Sequence, residues 1–306
     1  MDLQKLHLLE AHEVVELLRT KQVTPLELLD VVEQRVAATE SAVHATPITC
    51  FERARERAKQ LPEMSGKGCL HGLPILVKDT EAVEGVLFTE GSLLHAERVA
   101  TDSSPLVAQL EAMGAIVAGK TNVPEFCAGA QCFNELFPTS RSPYDTRTTA
   151  GGSSGGSAAA LASYQCWLAT GTDHGGSLRT PAAFCGCVGF RPSVGRTPTQ
   201  QGKALRNLHS VAGPMGRSVR DVGLFLDAMD SFQGWEGFLE PLVKENFEEA
   251  AVLGSREGAK VQVGFATMGL SFAPEVEALC RAAAGLLNED SAHAVIMVDS
   301  RSGYNG

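Results

Sequence analysis

Apolar positions follow two rhythms along this chain. Leu29, Val32 and Val36 recur at helical spacing behind Thr24-Pro25-Leu26-Glu27, which reads as a capping box with proline at the first helical position. The opening segment is therefore expected to be helical and packed on the body. Leu73 to Val77 is a short apolar run behind His71-Gly72, expected as a buried strand that delivers Lys78 and Asp79 at its C-terminal end. In α/β folds that end usually carries the chemistry. Ser104-Pro105 opens a second helix with Leu106, Val107, Leu110 and Met113 apolar and Gly114 as its stop, and Ala115 to Ala118 forms the next strand.

Further on, Ala158 to Ala162 reads as helix and Cys166 to Ala169 as strand. Ser218 opens another helix, with Asp221 three residues later and Val222, Phe225, Leu226 and Met229 as its buried stripe. Beyond Asp230 the pattern weakens. Lys260 to Ala266 is expected as a strand, Pro274 to Leu287 as a helix, and SRSGYNG as a frayed end. No internal repeat is evident. Helix alternating with strand predicts an α/β fold.

Composition narrows the function. The 306 residues are 44% apolar and 20% charged, ordinary values for a globular protein. A net charge of −10 repels phosphate backbones and argues against nucleic acid as a partner. No apolar run reaches membrane-spanning length, and the acidic, amphipathic start lacks the basic and apolar regions of a secretory signal. Stable membrane insertion is not expected, and a cytoplasmic location is. The cysteines at 50, 69, 127, 132, 166, 185, 187 and 280 are scattered, as reduced thiols would be. Cys185 and Cys187 have no second Cys/His pair at zinc spacing, so no metal site is expected.

The most biased stretch, TTAGGSSGGS at 148–157, admits three readings besides a linker. Gly151 to Gly155 satisfies GxSxG, the nucleophile elbow of α/β-hydrolases, with His209 as a downstream histidine. That elbow follows an apolar strand, whereas SRSPYDTRTTA is polar. A phosphate cradle would suit a glycine-rich helix start, but neither GxxxxGK[ST] nor a placed GxGxxG occurs. The third reading pairs this turn with a second one, Gly171 to Ser177, across the intervening helix and strand.

That pairing is specific. GGSSGGSAAALA followed by GTDHGGSLRTPAAFCGCVGFRPSVGRTP closely resembles the amidase-signature family. LPILVKD, GAIVAGKTNVPEF, FNELFPTSRSPYD and HSVAGPMGRSVRDVGLFLDAM match further family segments in the correct order, from about residue 10 to about 285. The resemblance implies a mixed central sheet between helical layers and a triad of Ser177 as nucleophile, Ser153 as proton relay and Lys78 as base. It also implies a cis peptide before Ser153 and contact of the lysine with that serine. Independently, the residues offer no convincing Ser/His/Asp set, and a serine hydroxyl needs a base. Lysine serves as one only as the free amine, a form that desolvation favours.

The turn His174-Gly175-Gly176-Ser177 can aim backbone N–H groups at an oxyanion, because glycine permits positive φ and close approach. With the resemblance, Asp173 and Arg179 are expected to brace this turn, Ser154 to assist, and Cys127 and Gly129 to line the substrate side. His174 stands where relatives more usually carry a non-ionising side chain, and Gly216 where they carry alanine. Relatives also continue further, so residues 1–306 are read as one amidase domain. Its parts are a helical segment at 1–60, a signature core at about 70–230 and an incomplete C-terminal part at 231–306. The implied activity is hydrolysis of a small carboxamide without metal or organic cofactor, with a homodimer as one oligomeric form. Its rivals are the transfer-RNA amidotransferase component that needs partner proteins and glutamine, and a non-catalytic remnant.

Overall fold

The computed structural model describes residues 3–64, 68–198, 209–230, 246–253, 261–266, 273–289 and 293–298. The chain resolves into two compact units, 1–252 and 253–306.

In the first unit, α1 (Ala11–Arg19) and α2 (Pro25–Val43) lead into β1 (Ile48–Thr49) and α3 (Phe51–Met64). Then come β2 (Pro74–Lys78), α4 (Pro105–Ala112), β3 (Ile116–Thr121), β4 (Arg141–Ser142) and β5 (Asp145–Thr149). The glycine-rich segment opens α5 (Gly155–Ala162), followed by β6 (Leu168–Asp173), α6 (Arg179–Cys185), β7 (Val188–Gly189), β8 (Val211–Gly216), α7 (Val219–Met229) and α8 (Phe247–Leu253). The second unit holds β9 (Val261–Ala266), α9 (Pro274–Glu289) and β10 (His293–Val298); β9 and β10 pair in parallel and α9 packs on β10.

The main sheet runs β1-β3-β2-β6-β8-β7. Its centre is parallel: β2 pairs with β3, Lys78 opposite Thr121, and with β6, Leu76 opposite Ala169. The flanks are antiparallel, β1 on β3 and β8 on β6, with Asp173 opposite Val211. The C-terminal ends of β2, β3 and β6 therefore share one edge, the usual place for a site in such sheets. Helix α5 packs on β2, β3, β6 and β8, and α7 packs on β6, β7 and β8. Strands β2 and β3 are buried throughout, and with β6, α4, α5 and α7 they form the core.

Local chemistry explains the helix starts. Thr24 and Glu27 form the expected reciprocal cap, with Glu27 N–H donating to Thr24 Oγ1 at 3.3 Å and Thr24 N–H to Glu27 Oε2 at 2.8 Å. Ser218 accepts from Asp221 N–H at 3.2 Å at the start of α7. Asp221 is fully buried and also takes the His12 N–H at 3.0 Å, tying α1 to α7.

A titrating pair sits at that joint. Glu10 Oε2 and Asp221 Oδ2 are both buried without a hydrogen-bond partner among the described residues. The hydrogen bond to Asp221, burial and the Asp221 charge push the Glu10 carboxyl up to about 7. A folded-state value raised above the unfolded one stabilises fully below the unfolded pKa and loses that contribution as pH rises through 7. Thermal unfolding of the wild type should therefore show a falling Tm between about pH 5 and 8 that Glu10→Gln flattens; parallel curves for the two proteins would refute the raised Glu10 carboxyl.

Among the described residues no helix is long and apolar enough to cross a membrane, and no three His, Cys, Asp or Glu side chains converge as metal ligands.

Candidate active site

Lys78 ends β2 with its side chain wholly buried. Its backbone N–H donates to Thr170 Oγ1 at 2.9 Å, pinning the strand end to β6. Its Nζ lies 2.7 Å from Ser153 Oγ, 2.9 Å from Ser154 Oγ and 2.7 Å from Thr172 Oγ1. Among the described residues its partners are hydroxyls only. A second buried lysine, Lys120, instead meets the Asp79 carboxylate and donates to the Leu87 carbonyl at 2.9 Å. Burial pushes the Lys120 ammonium below the usual lysine range, and the Asp79 charge offsets part of that. Asp79 in turn accepts from Thr89 Oγ1 at 2.5 Å. The two adjacent residues at the end of β2 thus serve different ends: one faces hydroxyls, the other anchors the 85–92 loop.

Ser153 and Ser154 lie in the turn before α5, and the Gly152–Ser153 peptide is cis. Gly152 is required there by space. A Cβ on it would lie 2.6 Å from Gln131 N and 2.7 Å from the Ala130 carbonyl carbon. The 127–132 loop thus packs directly on the peptide that presents Ser153. Cys127, half-buried, and Gly129, exposed, belong to this loop, with Gly129 N–H donating to the Cys127 carbonyl at 3.1 Å. Ser154 joins the two turns, since its N–H donates to the Ser177 carbonyl at 3.3 Å and its Oγ accepts the Thr172 N–H at 3.3 Å.

The second turn hangs on Asp173, fully buried at the end of β6. Its carboxylate accepts from Gly176 N–H at 2.8 Å, Leu178 N–H at 3.1 Å and Arg179 Nε and Nη2 at 3.0 Å each. Burial works to raise its pKa. Arg179 and the two backbone donors outweigh that and hold the carboxyl well below the usual carboxylate range. Gly176 takes φ +117°, which glycine tolerates and L side chains rarely adopt. Its N–H donates to the Asp173 carboxylate, so in this structure it braces the turn. Ser177 is half-buried, and its hydroxyl makes no hydrogen bond among the described residues. The contact between Ser177 and Ser153 is therefore not made in this structure, and such contacts often tighten only with substrate bound. The His174 ring is exposed and meets His209 edge-on, with ring centroids 5.8 Å apart.

Three contributors escape the sequence reading. Thr170 and Thr172 share one face of β6, as residues two apart on a strand must, so the alternation in LATGTD was the available signal. Arg191 reaches the Asp173 carboxylate and carbonyl from 18 residues away, and no local spacing announces it.

Known proteins share this chain's family and fold. The amidase family description matches residues 27–302, and this chain belongs to that family. A glutamyl-tRNA(Gln) amidotransferase component from Moorella thermoacetica is 32% identical over 289 residues, 93% of this chain and 59% of that protein. The chain thus spans about three fifths of that relative's length. Among solved structures, a 6-aminohexanoate cyclic dimer hydrolase complexed with substrate superposes with a TM-score of 0.85 at 28% identity, over 97% of this chain and 61% of that one. A bacterial aryl acylamidase of the amidase-signature family gives 0.82 at 28% identity, over 95% and 61%.

Proposed function

We propose that this protein hydrolyses a carboxamide C–N bond through Ser177, Ser153 and Lys78, and that residues 1–306 form parts of one amidase domain. The observation that carries the reading is the buried Lys78 amine 2.7 Å from Ser153 Oγ, with hydroxyls as its other partners. Ser177 Oγ attacks the amide carbonyl as its proton passes to Ser153, and Ser153 gives its own to Lys78 Nζ. The N–H groups of His174, Gly175 and Ser177 face the developing oxyanion. The route then runs backward: Ser153 protonates the leaving nitrogen, the C–N bond breaks, and an acyl ester remains on Ser177. Water cleaves the ester by the same relay. Two hydroxyls and one amine complete the proton path, and backbone donors stabilise the oxyanion, without metal or organic cofactor. Ser154 and Thr172 hold the amine in place, Asp173 and Arg179 hold the turn, and Cys127 and Gly129 border the acyl side. A small amide is the substrate, a homodimer one oligomeric form and the cytoplasm the location.

Released ammonia or amine from a panel of small aliphatic and aryl amides tests this. Turnover by the wild type and none by Ser177→Ala is the expected pair; equal turnover by both would remove Ser177 from the mechanism. The amidotransferase relatives favour one second reading, glutamine as nitrogen donor within a larger assembly. Ammonia release from glutamine alone among the amides, and only with partner proteins added, would put that reading first.

A further inference from the structure

We propose that Arg191 is a positioning residue that sets where the nucleophile turn presents Ser177 and its neighbouring N–H groups. The inference rests on the reading of Ser177 as nucleophile. Arg191 follows β7, and its neighbour Phe190 donates its N–H to the Pro214 carbonyl of β8 at 3.1 Å, so the base of the side chain is fixed to the sheet. From there the guanidinium spans two strands. Nη1 donates to the Asp173 carbonyl and, at 3.1 Å, to Asp173 Oδ1, while Nη2 donates to the His209 carbonyl at 2.9 Å.

The location gives this fork its meaning. The β6–β8 ladder has its last pair at Asp173 and Val211. Beyond it the chain leaves β6 for the His174–Ser177 turn, and no ladder bond fixes where it departs. Arg191 supplies the missing rung, holding the carbonyls of Asp173 and His209 with one rigid plane. A planar fork can grip two separate acceptors where a lysine point charge grips one. Arg179 differs in kind. Among the described residues its side chain bonds only the Asp173 carboxylate, and it is 59% exposed against 25% for Arg191. Arg179 therefore holds a side chain, and Arg191 holds the backbone from which the turn begins.

Small displacements of a reacting group are costly, about 100-fold in rate for about 1 Å. Arg191→Ala is expected to lower kcat about 100-fold with KM changed less than about threefold. Arg179→Ala is expected to lower kcat by less than about tenfold, because the backbone grip survives. Arg191→Lys should recover only part of the loss, and millimolar methylguanidine should restore Arg191→Ala but not the wild type or Ser177→Ala. Independently of turnover, amide hydrogen exchange at 174–177 should quicken in Arg191→Ala more than in Arg179→Ala. The inference is overturned if Arg191→Ala keeps kcat within twofold, or if exchange in the turn is unchanged. If Arg191→Ala does not fold, Arg191→Lys carries both readouts. Wild-type turnover by Ser177→Ala would instead sink the nucleophile assignment, and the exchange measurement would still judge the grip of Arg191 on the turn.

Discussion

Lys78→Met is expected to reduce kcat by about four to six orders of magnitude with little change in Tm. Methionine is unbranched and close in length, so it fills the buried channel that the lysine stem occupies. What it removes is the nitrogen within 2.9 Å of Ser153, Ser154 and Thr172. Without that nitrogen, Ser153 has no acceptor for the proton it takes from Ser177. Ser154 Oγ keeps its bonds to the Thr172 backbone, so the turn keeps its shape. A steady-state assay beside thermal melts separates the two effects: a large rate loss with an unmoved melt is the predicted pattern, and a rate within tenfold of wild type would exclude Lys78 as the base.

The largest stability effect is expected at Asp173. Asp173→Ala should cost about 3–5 kcal/mol, because truncating one member of a buried charge network leaves its partners uncompensated. The Gly176 and Leu178 N–H groups lose their acceptor, and Arg191 loses one as well. Asp173→Asn keeps the shape and one acceptor oxygen, so it should cost less. The exposed Arg19–Glu16 pair is the control, since Arg19→Ala should shift stability by no more than about 1 kcal/mol. The pH dependence follows the same logic. The Asp173 carboxyl is held below its ordinary range, so its contribution is present above the unfolded carboxylate pKa and is lost as pH falls below that range. Urea melts of the variants at neutral and acid pH check the size and sign together. A cost under about 1 kcal/mol for Asp173→Ala would mean that the turn is held by other contacts.

Much of this architecture was legible in the chain itself. Caps at Thr24, Ser104 and Ser218 marked α2, α4 and α7 because the side chains that close those helices are local. The apolar runs at Leu73 and Ala115 marked β2 and β3, displaced by one residue because Pro74 and Ile116 begin the pairing. Strand β6 starts at Leu168 and reaches Asp173, since Thr170, Gly171 and Thr172 gave no apolar signal yet pair fully with β8. Strand β8, VAGPMG, was invisible: proline and glycine normally demote a strand, and here they are tolerated beside Gly171 and the tight approach of the Phe190 carbonyl to Gly213. Helix α3 buries little beyond Ala54 and Ala58, so its polar sequence carried no stripe to read. Near the end, the expected strand and helix match β9 and α9, while Lys260 and the frayed SRSGYNG terminus lie outside the described residues.

The site divides in the same way. Lys78, Ser153, Ser154 and Asp173 stand out in the sequence because the glycine turns and the family pattern bracket them; the structure brings the first three together at the Lys78 amine and sets Asp173 under the second turn. The grip of Arg191 depends on strand pairing across the sheet, which no spacing along the chain encodes, and the amine contact of Thr172 was signalled only by the alternation in LATGTD. The bond from the Gly176 N–H to Asp173 was equally hidden, because the motif shows which glycine stands in the turn and not which acceptor reaches it first.

The account turns on Ser177 becoming the acylated residue. Acid-quenched mass spectrometry of the wild type, taken during turnover of a reactive aryl amide, measures this directly. An acyl mass increment on the peptide that contains Ser177, absent in Ser177→Ala and strongly reduced in Lys78→Met, is the predicted result. An increment on any other residue, or steady amide hydrolysis in which Ser177 never carries one and Ser177→Ala works as well as the wild type, would contradict it.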